Sequence, residues 1–126
     1  MIHMEREAFQ GLCNLSKARH PLETVVLLRG QKTGEGYLVT EFLLPPWGFG
    51  SRGFASFNPL ALPIDFSILG TAHTHPQGPL RPSRVDLQNF YGRIMMILGP
   101  PYDESSVAVY DKGGRALGFK LFNRPL

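Results

Sequence analysis

The sequence predicts an α+β domain with α/β/α layering, in which a mixed, mostly antiparallel sheet is flanked by helices. Two observations predict this class. Short, β-branched apolar segments typical of strands outnumber helical segments, and the helical segments fall at the start and in the middle of the chain. In addition, 14 Gly and 11 Pro residues among 126 indicate many turns between short elements.

The first part of the chain is predicted to form a helix followed by a β-hairpin. Apolar residues recur at helical spacing over residues 4–18 and predict a helix, which ends before Pro21 because the residue preceding a proline avoids the helical region. Residues 23–30 form a β-branched apolar run that predicts a buried strand. A glycine-containing turn then leads to a second strand over residues 37–44, which completes the hairpin.

The rest of the chain alternates strands and loops around one short helix. Strands are predicted over residues 67–75, 93–98, 106–110 and 116–122, and the helix over residues 83–91. A short, exposed strand is predicted over residues 54–58. Nine of the eleven prolines lie between Pro45 and Pro101, so this central stretch is expected to hold the shaped loops that usually carry function.

Length, composition and charge limit the class of protein. With 43% hydrophobic and 18% charged residues, the chain is too apolar to be disordered, and its length predicts one domain over residues 1–126. The net charge of +3 is spread along the chain, so we expect no nucleic-acid partner. No apolar stretch approaches the ~20 residues of a membrane span, and the charged N-terminal segment is unlike a secretory signal. We therefore expect a cytoplasmic protein without a membrane partner.

The cysteine content restricts the kinds of metal site that the chain can build. Cys13 is the one cysteine, which excludes an internal disulfide and any cysteine-based zinc cluster. Its place on a helical pattern predicts a small core residue rather than a nucleophile. A zinc site in this chain would have to be built from histidine and carboxylate.

Two histidines and one aspartate in the central stretch have the spacing of a metal site. His73 and His75 are two residues apart on a predicted strand and therefore project from the same face. Asp86 follows eleven residues after His75, across a loop with three prolines and near the start of a helix. Two histidines and a carboxylate are the three protein ligands of many catalytic zinc sites, and the fourth position is left for a water. Zinc lowers the pKa of that water to ~7, so that it supplies a hydroxide nucleophile at neutral pH.

The same residues also have ordinary structural explanations. A His-x-His pair on a strand is often structural. Ser83 and Asp86 have the spacing of a capping box, in which each side chain accepts a hydrogen bond from the other residue's backbone N–H. Neither explanation excludes a site, because a helix start can hold an aspartate rigidly while a hydroxyl points outward.

The spacing resembles that of a known family. The run His73-Thr74-His75-Pro76, then six residues, then Ser83-Arg84-Val85-Asp86 resembles the JAMM motif of the MPN+ zinc metalloproteases. That family also has a glutamate at the start of the first strand after the N-terminal helix, where this chain has Glu23. The order of elements is similar over nearly the whole chain, and residues 99–104 resemble the small archaeal members. The resemblance implies an MPN, cytidine-deaminase-like fold.

The resemblance also implies a role for each matched residue. His73, His75 and Asp86 would bind one Zn²⁺ per chain. Glu23 would act as general base toward the water and then as general acid toward the leaving amine, and Ser83 would donate a hydrogen bond to the oxyanion. The implied reaction is hydrolysis of the isopeptide bond between ubiquitin, or a ubiquitin-like modifier, and its target. A chain this short lacks room for the insertions with which some relatives read polyubiquitin linkage.

Two features of the sequence allow more than one interpretation. A glutamate at a helix–strand junction is usually a solvated charge, but alternation of Glu23 with Val25 and Leu27 favours an inward position beneath the histidines. The loop over residues 47–54 holds aromatic residues among glycines, which either pack on the core or form a wall of a substrate groove. In the second case the strand over residues 54–58 could pair with the extended tail of the modifier.

Other functions remain open at this point. The first is a peptidase that trims the C-terminus of a sulfur-carrier protein. The second is a DNA-repair-associated protein of the RadC type, because this chain also resembles the His-x-His-Pro segment of those proteins. The mild net charge argues against this function. The third is a metal-free scaffold of the MPN− type, although this chain keeps every ligand. The sequence leaves the oligomeric state open, with a homodimer among the arrangements it allows.

Overall fold

A computed structural model describes residues 1–45 and 65–124 of the chain. In these ranges the chain forms a mixed sheet and two α-helices, together with a short 3-10 turn at Glu104–Ser106. The elements in order are β1 (Ile2–Glu5), α1 (Arg6–Arg19), β2 (Val25–Lys32), β3 (Tyr37–Leu43), β4 (Ile68–Thr74), α2 (Arg84–Gln88), β5 (Ile94–Leu98), β6 (Val107–Tyr110), β7 (Ala116–Leu117) and β8 (Phe119–Phe122).

The sheet of the described residues has eight strands in the order β7-β6-β5-β4-β2-β3-β1-β8. Four of its seven pairings are antiparallel, namely β2 with β3, β2 with β4, β5 with β6 and β6 with β7. The pairings of β4 with β5 and of β1 with both β3 and β8 are parallel. The predicted α+β class, with a mixed and mostly antiparallel sheet flanked by helices, is confirmed.

The beginning and the end of the chain differ from the sequence prediction. Residues 4–18 were expected to form one helix, but Ile2–Glu5 form strand β1 and α1 starts only at Arg6. Ile2 and Met4 are buried and alternate with less buried residues, a period-two pattern too short to stand out beside a helix. The strand expected over residues 116–122 is divided at Gly118, whose carbonyl accepts a hydrogen bond from the Ile2 N–H at 2.7 Å.

The division at Gly118 decides the shape of the sheet. Strands β7 and β8 stand at the two ends of the strand order, yet only Gly118 separates them along the chain. The two edges of the sheet must therefore lie close together, and the sheet curls strongly.

Three expectations cannot be compared directly with this fold. The predicted strand over residues 54–58 and the aromatic loop over residues 47–54 lie outside the described residues. The single domain over residues 1–126 stays a prediction. In the described part of the chain, neither helix combines the length and the apolar character needed to cross a membrane.

Buried side chains form one cluster on each face of the sheet. Val26 and Leu28 of β2 belong to the cluster that also contains Phe9, Leu12 and Cys13 of α1. The alternate residues Val25 and Leu27 belong to the second cluster, on the face that carries α2. Strand β5 contributes to both clusters and is buried at all five positions. Because β4 pairs with both β2 and β5, it is held in the middle of this double-sided core.

The fold gives a direct test of the predicted core role of Cys13. The residue is only 2% exposed, and burial raises the pKa of its thiol to about 11, an effect opposed by Lys17 and reinforced by Asp103. We expect thiol-modifying reagents at pH 7.5 to react with the folded protein about 100-fold or more slowly than with the unfolded chain, because the thiolate is the reactive form. The measurement is the labelling rate with and without denaturant, and one rapidly labelled thiol in the native protein would contradict it.

Candidate metal centre

The end of strand β4 brings the two histidines together. His73 pairs across from Val25 of β2 and Ile97 of β5, so its backbone is held from both sides. His75 follows directly after β4, and its N–H donates to the Leu98 carbonyl at 2.8 Å. The ring centroids of the two histidines are 5.0 Å apart. His73 is buried and His75 is partly buried, so the pair opens to solvent on the His75 side.

The start of helix α2 supplies the carboxylate. The Ser83 hydroxyl accepts a hydrogen bond from the Asp86 N–H at 3.0 Å, and Asp86 Oδ2 accepts one from the Ser83 N–H at 2.8 Å. This is the reciprocal capping box that the spacing predicted. It fixes the Asp86 carboxylate, which is only 5% exposed, against the end of β4.

The three side chains converge on one point. Asp86 Oδ1 lies 3.8 Å from Nε2 of His73, and Asp86 Oδ2 lies 3.2 Å from Nε2 of His75. One ligand atom from each residue can be chosen so that all three lie within 4.8 Å of one another. The predicted His73, His75 and Asp86 therefore form a group that could hold a metal ion.

A backbone carbonyl sets the protonation of His75. Its Nδ1 lies 3.0 Å from the Pro79 carbonyl oxygen, which can only accept, so Nδ1 carries the hydrogen. In the neutral ring Nε2 then carries a lone pair, and that lone pair faces the Asp86 carboxylate. Two acceptors in contact require either a proton or a cation between them. This hydrogen bond from Nδ1 to a carbonyl is also the usual support of a metal-binding histidine.

The pKa values of His73 and Asp86 favour the protonation states that bind metal. Burial lowers the pKa of His73 to about 4, with the Asp86 charge acting in the opposite direction, so this ring is neutral at pH 7. Burial opposes ionisation of Asp86, but hydrogen bonds from His75 and Ser83 and the nearby imidazoles lower its pKa to about 2. The hydrogen bond with Asp86 raises the pKa of His75, so without a cation this ring gains a proton more easily.

The donor set is one that a catalytic zinc ion can use. Two imidazole nitrogens and one carboxylate are a ligand set of catalytic zinc sites. Ligand atoms bound ~2.0–2.2 Å from one tetrahedral ion lie roughly 3.3–3.6 Å apart. The contacts of Asp86, at 3.2 and 3.8 Å, use its two different oxygens, and one ligand atom from each residue lies within 4.8 Å of the others. Binding of an ion would therefore draw the three side chains closer together.

Ser83 and Glu23 lie beside this group. Ser83 is exposed at the start of α2, and accepting the bond from Asp86 leaves its hydroxyl hydrogen able to donate. Glu23 is partly buried two residues before β2, and its charge contributes to the raised pKa of His75. Glu23 does not belong to the three potential ligands. The structure thus brings His73, His75 and Asp86 together, with Ser83 hydrogen-bonded to Asp86 and with Glu23 near enough for its charge to act on His75.

Sequence reasoning missed two supports of the site. One is the Pro79 carbonyl, because a main-chain acceptor has no side-chain signature, although the three prolines of the loop indicated a rigid segment. The other is the pair Thr24 and Thr74, in which the Thr24 N–H donates to Thr74 Oγ1 at 2.9 Å and the Thr74 N–H donates to the Thr24 carbonyl at 3.0 Å. This pair fastens the segment of Glu23 to the strand of the histidines.

Known proteins are similar to this chain in sequence and in fold. The family of prokaryotic homologues of the JAB domain matches residues 5–110. A relative from Haloferax volcanii, described as a probable metalloprotease, is 32% identical over all of this chain and 83% of its own length. A JAB1/MPN domain protein from Archaeoglobus fulgidus superposes with a TM-score of 0.71 and 28% identity, covering 96% of this chain and 98% of that one.

A second solved structure is described as JAMM, a metalloprotease-like zinc site in the proteasome and signalosome. It superposes with a TM-score of 0.67 and 25% identity, and the match covers 98% of this chain and 99% of that one. The matched family model spans most of the chain and includes Glu23, both histidines, Ser83 and Asp86. The chain belongs to the JAMM/MPN family as a prokaryotic homologue of the JAB domain.

Proposed function

We propose that the protein is a zinc-dependent isopeptidase that hydrolyses the bond between the C-terminus of ubiquitin or a ubiquitin-like modifier and its target. The observation that carries the proposal is the Asp86 carboxylate held between the Nε2 atoms of His73 and His75. The description of the Haloferax volcanii relative as a probable metalloprotease supports the hydrolytic class. The modifier substrate is inferred from the JAMM resemblance.

The three ligands would hold the ion at a defined position. When bound, zinc supplies a Lewis acid and lowers the pKa of a water molecule at its open position. The neutral imidazole of His73 and the ionised carboxylate of Asp86 are already in their ligand forms at pH 7. The Pro79 carbonyl keeps Nε2 of His75 directed at the same point.

Glu23 and Ser83 would perform the proton transfer and the charge stabilisation. Glu23, whose charge acts on His75, would accept the proton of the attacking water and deliver it to the leaving amine. The Ser83 hydroxyl, which keeps its hydrogen for donation, would bind the oxyanion that develops on the substrate carbonyl. In this assignment Ser83 caps helix α2 and takes part in catalysis at the same time.

The substrate would be a small ubiquitin-fold protein with an extended C-terminal tail. The chain has 126 residues, which leaves no room for large insertions that read the linkage of a polyubiquitin chain. We therefore favour a minimal protease that recognises the tail of the modifier in the cytoplasm. Processing of a sulfur-carrier protein is the alternative outcome of the substrate test below.

The first prediction concerns metal content. Wild-type protein equilibrated with zinc and dialysed should contain one zinc per chain, and His75→Ala should lose it because one of three ligands is removed. Elemental analysis checks this. His3→Ala is the matched control, because His3 lies on β1, away from β4 in the strand order, and should leave zinc content unchanged. A wild-type protein that binds no zinc would overturn the proposal.

The second prediction separates chemistry from metal binding. Glu23→Gln should retain one zinc per chain yet cleave conjugates at least 100-fold more slowly, because the amide cannot accept the proton. The assay uses ubiquitin-fold fusions, isopeptide conjugates and sulfur-carrier precursors, each with and without a chelator. Glu35→Gln, in the exposed turn between β2 and β3, is the control that should stay active. Full activity of Glu23→Gln would show that the base lies elsewhere.

The third prediction separates the two roles of Ser83. At an N-cap, alanine costs about 1 kcal/mol of stability whereas glycine costs only a few tenths. Ser83→Gly should therefore unfold in denaturant almost like wild type while losing ~10²–10³-fold in kcat, the typical effect of removing one oxyanion donor. Ser83→Ala should lose both. A Ser83→Gly enzyme with wild-type kcat would restrict Ser83 to helix capping.

A further inference from the structure

We propose that Arg19 is a positioning residue for Glu23, acting through the Glu23 main-chain carbonyl and the Thr24 side-chain hydroxyl. The inference rests on the proposed function in one respect, since it takes Glu23 as the general base. The contacts themselves are independent of any reaction. They form one hydrogen-bonded connection from the end of α1 to the strand that carries the histidines.

Glu23 needs support from its backbone. It lies in the five-residue connection between α1, which ends at Arg19, and β2, which begins at Val25. Among the described residues, no side chain donates a hydrogen bond to its carboxylate. The location of that carboxylate therefore follows the location of the main chain. A displacement of ~1 Å at a reacting group can cost about 100-fold in rate.

The Arg19 guanidinium bridges the two residues at this point. Its Nη2 donates to the Glu23 carbonyl at 3.2 Å, and its Nε donates to Oγ1 of Thr24 at 2.9 Å. A planar guanidinium presents these two donors in a fixed geometry, so both contacts hold the same short piece of chain. Arg19 is partly buried, which shields these bonds from water.

The second half of the connection joins Thr24 to the metal-binding strand. Thr24 and Thr74 exchange two hydrogen bonds, at 2.9 and 3.0 Å, and are 1% and 2% exposed. Thr74 lies between His73 and His75 in the sequence. Arg19 thus holds Glu23 in a fixed relation to both histidines. This gives an arginine outside the site an influence on the geometry of the base.

Replacement by lysine distinguishes this role from a simple charge effect. Arg19→Lys keeps the positive charge but offers a single ammonium in place of the two-donor fork. We expect zinc content and KM to stay at wild-type values while kcat falls about 10- to 100-fold. Arg6→Lys is the matched control, because Arg6 at the other end of α1 also donates from Nε to a side-chain oxygen, that of Asn123.

A double variant tests whether Arg19 acts through Glu23. If it does, Arg19→Lys should cause no further loss of kcat in a Glu23→Gln background, since the base is already absent. Losses that multiply would overturn the inference and assign Arg19 a general structural role. Thr24→Val, which removes the acceptor of Arg19 Nε, should reproduce the effect, and Thr24→Ser, which restores a hydroxyl, should largely rescue it.

Hydrogen exchange of the backbone amides of His20, Leu22, Glu23 and Thr24 provides a readout without activity, Pro21 having no amide hydrogen. In zinc-loaded Arg19→Lys these amides should exchange at least 10-fold faster than in wild type or in Arg6→Lys, as expected when local opening becomes easier. Unchanged exchange would overturn the positioning role. A wild-type protein that binds zinc but cleaves no conjugate would overturn the proposed function alone, and the exchange rates would still decide whether Arg19 holds the Glu23 segment.

Discussion

The register between β2 and β4 is the constraint on which the candidate site depends. Val25 stands opposite His73, and the threonine pair at positions 24 and 74 continues the same alignment beyond the last strand pairing. A slip of one residue would turn the side chains of a strand to the other face of the sheet. His73 would then enter the apolar cluster against α1 and leave Asp86. Apolar residues on both faces of β2 and β5 fix this register because any shift would misplace buried side chains.

The same constraint explains what could be read from the sequence. The spacing of His73, His75 and Asp86 is local, since a strand and a capped helix start fix their directions within fourteen consecutive residues. Glu23 is different, because it reaches the site only through a long-range pairing that no local pattern specifies. Its assignment depends on the family resemblance, and the alignment of β2 with β4 brings its charge close enough to contribute to the raised pKa of His75.

The features that sequence reasoning missed also have long-range causes. Strand β1 has only four residues and pairs with β3 and β8. It therefore forms because of these long-range pairings rather than because of its own β propensity. The break at Gly118 likewise depends on the Ile2 N–H, which is 116 residues away in the chain. The Pro79 carbonyl supports His75 as a main-chain atom, which any residue would supply in the same backbone conformation.

The burial of the three polar groups gives a physical reason to connect the fold with metal binding. Two imidazoles and an ionised carboxylate stand next to an apolar cluster, although removing a carboxylate from water is costly unless a cation or hydrogen-bond donors compensate it. The capping box supplies one donor from Ser83, which meets only part of this requirement. A divalent ion between the ligands would neutralise the carboxylate and replace the extra proton that His75 otherwise needs. Because such an ion binds the folded chain and not the unfolded one, the binding energy of the site would add to the stability of the fold.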